Sequence, residues 1–204
     1  MTALRYAPDI FDTASIPAAK AIILFPEQGL TPEQRWALET DWLMERIEFP
    51  GDATVIDYGC GIGRIAKRLP NPVVGVDISP KMREMAPGYV GRENFNIVSP
   101  LDFRRVTTKG FRAQGLVAVW VLQHIPSLDR TVDLIVAALD PGATLWVANR
   151  DNRSIPVSDG KAYGWVPDDA DVTATLAKHF RLEHSEPIPD SLCTPGATLT
   201  RWRA

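Results

Sequence analysis

Three glycines at alternate positions follow a short apolar run, and their backbone is suited to close contact with a ligand. Residues 55–58, Val-Ile-Asp-Tyr, predict a buried strand, and Gly59, Gly61 and Gly63 come directly after it. Glycine lets the chain turn sharply and lets backbone lie where a Cβ would collide. The next apolar run ends at Asp77, whose carboxylate can accept two hydrogen bonds from a ribose diol. The pattern predicts a nucleoside site at the carboxyl end of a parallel sheet.

The order of elements around these residues predicts a doubly wound α/β fold. From residue 53 onward, apolar runs alternate with helical segments, which implies parallel strands joined by crossovers. We predict strands at 53–58, 73–77, 95–98, 115–120 and 143–148, and helices at 62–69, 79–86, 101–109, 128–139 and 170–178. Two final runs, 180–184 and 197–202, alternate polar with apolar residues and predict an antiparallel pair that closes the sheet. The expectation is a mostly parallel seven-stranded sheet.

The residues before this sheet predict a small helical cap. Residues 1–50 would form the cap and residues 51–204 the main domain. Thr31 is placed to begin a helix of the cap, with Gln34 positioned to close a capping box. Segment 149–169 is rich in Asp, Asn, Gly and Pro and is long for a connection, so we expect a functional loop there.

Composition argues against several classes of partner. The formal net charge is −3 over 204 residues, whereas a nucleic-acid-binding domain normally carries a basic surplus, so we expect no nucleic-acid partner. The longest apolar stretch near the amino end, residues 21–25, is far too short to span a bilayer, and we expect no membrane association. Cys60 lies inside the glycine loop, where a disulfide would distort ligand approach, so we expect a cytoplasmic protein. The three histidines, His124, His179 and His184, are too dispersed to predict a metal site.

Two nucleoside cofactors compete for the predicted site. Residues 61–66, Gly-Ile-Gly-Arg-Ile-Ala, formally match the dinucleotide pattern, in which a glycine loop and a helix amino end hold a pyrophosphate. S-adenosylmethionine has no phosphate. It needs a loop against which ribose and methionyl atoms can lie, with carboxylates for its polar and cationic parts. The acid that closes the first strand, Asp57, and the glycines two residues apart favour this second cofactor.

Four segments, in order, resemble the Rossmann-like S-adenosylmethionine-dependent methyltransferases. Residues 57–63 give an acid followed by Gly-x-Gly-x-Gly, and residues 74–82 match the second motif of that family. Residues 119–125 look like the segment after its fourth strand, and residues 139–145 look like the turn into its fifth. The resemblance covers residues 53–150 and implies S-adenosylmethionine as the cofactor in preference to a dinucleotide.

The resemblance also implies which residues contact the cofactor. They are Asp57, Gly59, Cys60, Gly61, Gly63, Asp77, Ile78, Met82, Ser99, Pro100, Leu101, Val119 and Trp120. Asp77 is expected to hold the ribose hydroxyls, and Ile78 and Met82 are expected to pack against the adenine. Asp57 would order the loop or meet the methionyl ammonium.

The end of the third predicted strand departs from the family. That strand commonly ends in an acid that helps to hold the adenine amino group, whereas Ser99 and Pro100 stand there in this chain. Asp102 is displaced by two positions. The adenine amino group would therefore meet Ser99, a backbone group or Asp102.

Two residues after the fourth predicted strand are candidates for the chemical step. Methyl transfer from a sulfonium is an in-line displacement, so most of the catalysis comes from alignment in a dry site. His124 is the predicted base if the acceptor must lose a proton, and the alternative is that it only shapes the pocket. Trp120 would pack either against the sulfonium or acceptor, or in the core under a helix.

Residues outside the motifs predict an acceptor pocket. The predicted acceptor-binding residues are Tyr6, Trp36, Asn149 and Trp165, which suggest a small, partly aromatic cavity. The leading hypothesis is a methyltransferase for a small-molecule acceptor, in a monomer or loose dimer. The chain lacks the Asn/Asp-Pro-Pro-aromatic tetrapeptide that amino-methylating nucleic-acid enzymes commonly show after strand four. Methylation of a nucleic acid or protein, and a non-catalytic cofactor-binding protein, are the alternatives.

Overall fold

The structure is a computed structural model that describes residues 4–24, 29–193 and 195–204. The strands are β1 (Arg5–Tyr6), β2 (Val55–Tyr58), β3 (Val73–Val76), β4 (Phe95–Val98), β5 (Ala113–Val119), β6 (Leu139–Arg150), β7 (Arg153–Ser158), β8 (Tyr163–Asp168), β9 (Arg181–Pro187) and β10 (Ala197–Arg203). The helices are α1 (Ile16–Ile23), α2 (Pro32–Met44), α3 (Pro80–Val90), α4 (Pro100–Thr108), α5 (Leu128–Ala137) and α6 (Val172–Ala177). Short 3-10 turns occupy Pro8–Phe11 and Leu122–His124.

The main sheet has the strand order β4-β3-β2-β5-β6-β10-β9. Strands β2 to β6 run parallel, and β10 is antiparallel to both β6 and β9. The predicted mostly parallel seven-stranded sheet with an antiparallel carboxyl-terminal pair is confirmed. The chain passes from β2 to β3 and β4 on one side and then returns to β5 on the other side of β2. Ligands of doubly wound sheets bind beside such a reversal of strand order.

Apolar side chains on both faces of the main sheet hold the central strands in place. Strand β2 is buried along its whole length, as expected for a parallel strand covered on both faces. Leu116 packs with Val132 and Ile135 of α5 in one core cluster. Its neighbour Val117 belongs to a second cluster, which also contains Leu43 of α2. Helix α2 therefore packs against the sheet close to the glycine loop.

A second sheet covers the carboxyl edge of the first. It has three strands in the order β1-β7-β8, all antiparallel. The prediction of a loop over 149–169 is wrong for most of that segment, because β7 and β8 form a hairpin there. The amino-terminal segment contains the strand β1 besides its helices, and the Ala7 N–H donates to the Pro156 carbonyl at 3.0 Å. The division of the chain at residue 50 stays a prediction.

Several predicted element boundaries need correction. Residues 61–68 form consecutive turns, whereas we predicted a helix over 62–69, and their bonds include Lys67 N–H to the Gly63 carbonyl and Arg68 N–H to the Ile65 carbonyl. The mixture of four-residue and three-residue spacings breaks the regular helical ladder. Strand β6 begins at Leu139 and not at residue 143, so the predicted turn before it lies within the strand.

The amino end of α2 follows the predicted capping box. Thr31 Oγ1 accepts from the Gln34 N–H at 3.2 Å, and Gln34 Oε1 accepts from the Thr31 N–H at 2.9 Å. These two bonds satisfy backbone donors that a helix start leaves without partners. No helix in the described part of the chain is long and apolar enough to cross a membrane.

Candidate active site

A cavity of about 610 Å³ opens at the carboxyl ends of β2, β3 and β5. The main sheet supplies Gly59, Asp77 and Val119 to its wall. The cap supplies Tyr6, and the β7–β8 hairpin supplies Trp165. The volume is that of a small-molecule site, and the position is the expected one for a doubly wound sheet.

The glycine loop is shaped so that its backbone faces the cavity. Gly59 has φ +73°, and a Cβ placed there would lie 2.3 Å from Cγ2 of Val121. Gly61 has φ +55°, and its Cβ would lie 2.6 Å from Cδ1 of Ile23 in α1. Both glycines line the cavity, whereas Cys60 and Gly63 do not. Of the four loop residues that are predicted to contact the cofactor, two therefore line the cavity.

The loop residues outside the wall are buried in packing contacts. The Cys60 thiol is buried and approaches the Gly61 carbonyl at 3.5 Å. At Gly63 a Cβ would meet Val90 of α3 at 2.3 Å, so this glycine allows the loop to pack closely on α3. These two residues support the loop and do not line the cavity, and their contact with the cofactor stays a prediction.

Asp77 joins the glycine loop to the start of α3. Its Oδ2 accepts from the Gly61 N–H at 2.7 Å, and its Oδ1 accepts from the Ser79 N–H at 2.8 Å. Burial raises the pKa of Asp77 above its ordinary value of 3.8. Each carboxylate oxygen has a further lone pair, and Asp77 lines the cavity. The carboxylate therefore has the position and the acceptor capacity that the predicted ribose contact requires.

Asp57 lies behind the loop and not in the cavity wall. Its Oδ2 accepts from the Ala66 N–H at 3.1 Å, and the residue is 2% exposed. Desolvation raises the pKa of Asp57 from 3.8 to about 7. Of the two roles predicted for this acid, the geometry agrees with ordering the loop, because the carboxyl group faces backbone and not the ligand space.

The raised pKa of Asp57 gives a pH-dependent stability. Its folded pKa of about 7 exceeds the unfolded value of 3.8, so the folded state binds the proton more tightly between those values. The free energy of unfolding should therefore fall as the pH rises from about 4 to about 7, by about 1.4 kcal/mol for each pKa unit. Asp57→Asn should flatten this slope in urea unfolding measured across that range. Parallel profiles for the variant and the wild type would contradict the prediction.

Only some of the residues that are predicted to lie near the adenine line the cavity. Ile78, Met82 and Pro100 line the cavity, whereas Ser99 and Leu101 do not. Ser99 begins α4: its Oγ accepts from the Asp102 N–H at 3.1 Å and donates to Asp102 Oδ2 at 2.7 Å. The two side chains named for the adenine amino group are thus bonded to each other. Leu101 is 56% exposed because it lies on the outer face of α4.

Trp120 stands out in the wall because of its backbone. It has φ +59°, the only positive φ of a non-glycine residue in the described part of the chain. Such a conformation costs about 1–3 kcal/mol and persists only where surrounding contacts enforce it. The Trp120 N–H donates to the Ala148 carbonyl at 2.9 Å, and its indole Nε1–H donates to Glu39 Oε1 at 2.7 Å. Trp120 lines the cavity, and its contact with a ligand stays a prediction.

Glu39 lies outside all the motifs described above. It is fully buried in α2 and also accepts from Arg64 Nη1 at 2.8 Å and Arg35 Nε at 3.3 Å. One signal was present in the sequence: at helical spacing, Glu39 falls on the apolar stripe that contains Trp36 and Leu43. A carboxylate on a buried stripe requires partners, because an unpaired buried charge is costly.

His124 has both ring nitrogens bonded. Gln123 Oε1 accepts from the Arg150 N–H at 2.7 Å, which turns the Gln123 amide nitrogen toward His124 Nε2 at 3.0 Å. We therefore assign Nε2 as an acceptor and Nδ1–H as the donor to the Ser154 carbonyl, 2.8 Å away. Desolvation lowers the pKa of His124, and the nearby Arg150 adds to the shift. The ring is neutral, and service as a base would require it to release Gln123.

Two aromatic rings lie beside His124 in the wall of the cavity. The Trp165 ring lies 5.0 Å from the His124 ring, and the Phe11 ring lies 6.1 Å from it. All three residues line the cavity, as does Tyr6. The cap and the hairpin thus contribute the aromatic wall that Tyr6 and Trp165 were predicted to form.

Trp36 and Asn149, two of the predicted acceptor-binding residues, lie outside the cavity wall, and their contact with an acceptor stays a prediction. The Trp36 indole donates to the Tyr89 hydroxyl at 3.0 Å, which holds Trp36 in a core cluster between α1, α2 and α3. Asn149 is 7% exposed, and neither polar atom of its side chain has a hydrogen-bond partner among the residues that the structure describes. Its side chain is therefore buried.

The unsatisfied amide of Asn149 predicts a stabilising substitution. A buried polar group without partners costs about 1–3 kcal/mol, and an apolar side chain of similar shape removes that cost. Asn149→Leu is expected to raise the free energy of unfolding by about 1 kcal/mol or more, with cofactor binding unchanged. Urea unfolding and calorimetric titration would measure the two quantities. Lower stability, or loss of ligand binding in the folded variant, would contradict this.

Among residues 4–24, 29–193 and 195–204, no group of three or more His, Cys, Asp or Glu side chains is arranged to hold a metal ion. The site is therefore described by its glycine loop, its carboxylates and its aromatic wall. Together with the parallel sheet, these features define a Rossmann-like nucleoside-binding domain.

Comparison with known proteins places the chain in one family. The family model described as a methyltransferase domain matches residues 33–186. The chain belongs to this family, the class I methyltransferases that use S-adenosylmethionine. The glycine loop agrees with that cofactor, since Gly59 and Gly61 bring its backbone to the wall of the cavity.

Relatives and solved structures agree with the family. The chain is 30% identical over 119 residues to a trans-aconitate 2-methyltransferase of Variovorax paradoxus, covering 56% of this chain and 45% of that protein. It is 30% identical over 127 residues to a ubiquinone biosynthesis O-methyltransferase of Methylobacterium, covering 56% and 49%. The chain thus spans about half the length of these curated relatives. A protein of Pyrococcus horikoshii shares the fold, with a TM-score of 0.65, 19% identity and coverage of 88% of this chain and 94% of that one.

Proposed function

We propose that the protein transfers a methyl group from S-adenosylmethionine to a small-molecule acceptor. The observation that carries the proposal is the cavity of about 610 Å³, whose lining includes both the glycine loop and the aromatic group of Phe11, His124 and Trp165. The relatives described above carry the names of small molecules, trans-aconitate and ubiquinone, which supports this class of acceptor.

Different residues of the cavity wall would bind the cofactor and the acceptor. Asp77, Gly59 and Gly61 would hold the cofactor, with Ile78 and Met82 beside the adenine. When bound, S-adenosylmethionine supplies an electrophilic methyl group on a sulfonium. The chain itself supplies alignment and exclusion of water, which are the main requirements of an in-line displacement.

The aromatic group together with Tyr6 would contact the acceptor. Flat apolar surfaces favour an acceptor with an unsaturated or ring-containing part, because such groups pack well against aromatic rings. His124 would act here as a neutral wall residue whose Nδ1 proton stays on the Ser154 carbonyl. A cap at residues 1–50, a cytoplasmic location and a monomeric or loosely dimeric state belong to the same proposal.

Two measurements test the proposal. Calorimetric titration should show micromolar-range binding of S-adenosylmethionine and of its demethylated product, S-adenosylhomocysteine. Incubation with methyl-labelled cofactor and separate pools of metabolites, RNA, DNA and protein should transfer label to the metabolite pool. Binding without transfer to any pool would favour a non-catalytic protein. Label in a macromolecule pool alone would favour the nucleic-acid or protein methyltransferase.

A further inference from the structure

A buried carboxylate connects three parts of the chain beside the cavity. Glu39 lies in α2, while its partner Arg64 follows the glycine loop and its partner Trp120 follows β5. The Glu39 and Arg64 side chains are 0% and 4% exposed, so solvent does not screen their ion pair. Trp120 lines the cavity, whereas Glu39 and Arg64 do not.

The two carboxylate oxygens of Glu39 have different partners. Oε1 accepts both from Arg64 Nη1 at 2.8 Å and from the Trp120 indole at 2.7 Å. Oε2 accepts from Arg35 Nε at 3.3 Å. The same oxygen thus fixes a guanidinium of the glycine-loop segment and the side chain of a wall residue. Bonds to an ionised acceptor are shorter and stronger than neutral ones, so the indole is held firmly.

The backbone of Trp120 explains why such a bond is needed. A tryptophan at φ +59° is strained, and a free indole would favour relaxation to an ordinary conformation. We propose that Glu39 is a positioning residue that fixes the Trp120 indole in the wall of the cavity and, through Arg64, ties that wall to the glycine loop. This inference rests on the proposed function, because it takes the cavity as the cofactor site.

The first test is spectroscopic and needs no ligand. Glu39→Gln keeps the shape of the side chain and removes its charge. It is expected to move the indole N–H resonance of Trp120 upfield in the ¹⁵N-labelled protein. Trp120→Phe identifies that resonance by deleting it. Tyr89→Phe is the matched control, because it removes the acceptor of the Trp36 indole in the same region and leaves Glu39 in place.

The second test measures binding of S-adenosylhomocysteine by calorimetry. Glu39→Gln and Trp120→Phe are each expected to weaken binding roughly tenfold, whereas Tyr89→Phe should stay within about twofold of the wild type. If Glu39 acts through the indole, Glu39→Gln should cause no further loss in the Trp120→Phe background.

Three outcomes would overturn the proposal. The first is that Glu39→Gln weakens binding equally in the wild-type and Trp120→Phe backgrounds. The second is that the Trp120 resonance moves in the Glu39→Gln protein while its affinity stays that of the wild type. The third is that the Trp120 resonance does not move in the Glu39→Gln protein. If the Glu39→Gln protein does not fold, the test uses the Trp120→Phe protein, which retains Glu39 and both of its arginine partners. Unchanged affinity of that protein for S-adenosylhomocysteine overturns the proposal. Wild-type protein that binds no S-adenosylhomocysteine overturns the proposed function as well, which separates the two failures.

Discussion

Asp77→Asn will weaken cofactor binding by about 1.5–3 kcal/mol, the scale of hydrogen bonds to a charged group. The carboxylate accepts from the Gly61 N–H with one oxygen and from the Ser79 N–H with the other. Asparagine has one acceptor oxygen, so its NH₂ group must face one of these two N–H donors. The variant therefore loses the charge that would meet the ribose and also loosens the junction between the glycine loop and α3. Calorimetric titration with S-adenosylhomocysteine measures the effect.

Asp171→Asn is the matched control for this prediction. Asp171 also accepts a backbone N–H at a helix start, from Ala174 at 3.0 Å, and it does not line the cavity. Asparagine is as good a residue as aspartate at that position, so stability and affinity should match the wild type. An Asp77→Asn protein that folds and binds the cofactor as tightly as the wild type would show that the ribose contact is misplaced.

Gly59→Ala is expected to abolish measurable cofactor binding and to lower stability. The left-handed φ of +73° costs an L-residue about 1–2 kcal/mol. The added Cβ would also lie 2.3 Å from Cγ2 and 2.6 Å from Cβ of Val121, a branched side chain in the wall that cannot rotate away from both contacts. Overpacking of this kind costs roughly 1–3 kcal/mol more. Thermal unfolding and calorimetric titration would record the two losses.

Gly88→Ala makes the same chemical change where the structure accommodates it. Gly88 lies inside α3, and among the described residues no other heavy atom lies within 4 Å of an added Cβ. Alanine in a helix interior should stabilise the protein by about 0.5–1 kcal/mol and leave binding intact. A Gly59→Ala protein that behaves like Gly88→Ala would disprove the conformation assigned to the loop.

The sequence was most informative where a pattern is local. The β-branched run before the glycines predicts β2 because a parallel strand is buried on both faces, and the same pattern predicts β3 and β4. Thr31 and Gln34 predict the start of α2 because a capping box involves residues three apart. The position of Asp77 beside the loop follows from the pairing of neighbouring parallel strands, whose carboxyl ends meet at one edge.

Contacts between distant segments could not be predicted in this way. The composition of 149–169, rich in Asp, Asn, Gly and Pro, predicts a loop where β7 and β8 form a hairpin, because such residues are uncommon in strands. The bond between Glu39 and Trp120 joins residues 81 positions apart. Periodicity indicates that Glu39 faces inward, but it does not reveal which strand end the side chain will meet. The bonded state of His124 likewise depends on Ser154, a residue of the unforeseen hairpin.

The second sheet has a consequence for the order in which parts of the protein fold during synthesis. Its first strand comes from residues 5–6 and its other two from residues 153–168, and the Tyr163 hydroxyl donates to Asp9 across 154 positions. Loop-closure entropy makes contacts of such long range slow to form. During synthesis the ribosome has to deliver the chain as far as residue 158 before β1 can complete its pairing with β7. The central parallel strands can assemble earlier, and enclosure of the cavity is expected to be a late event in folding.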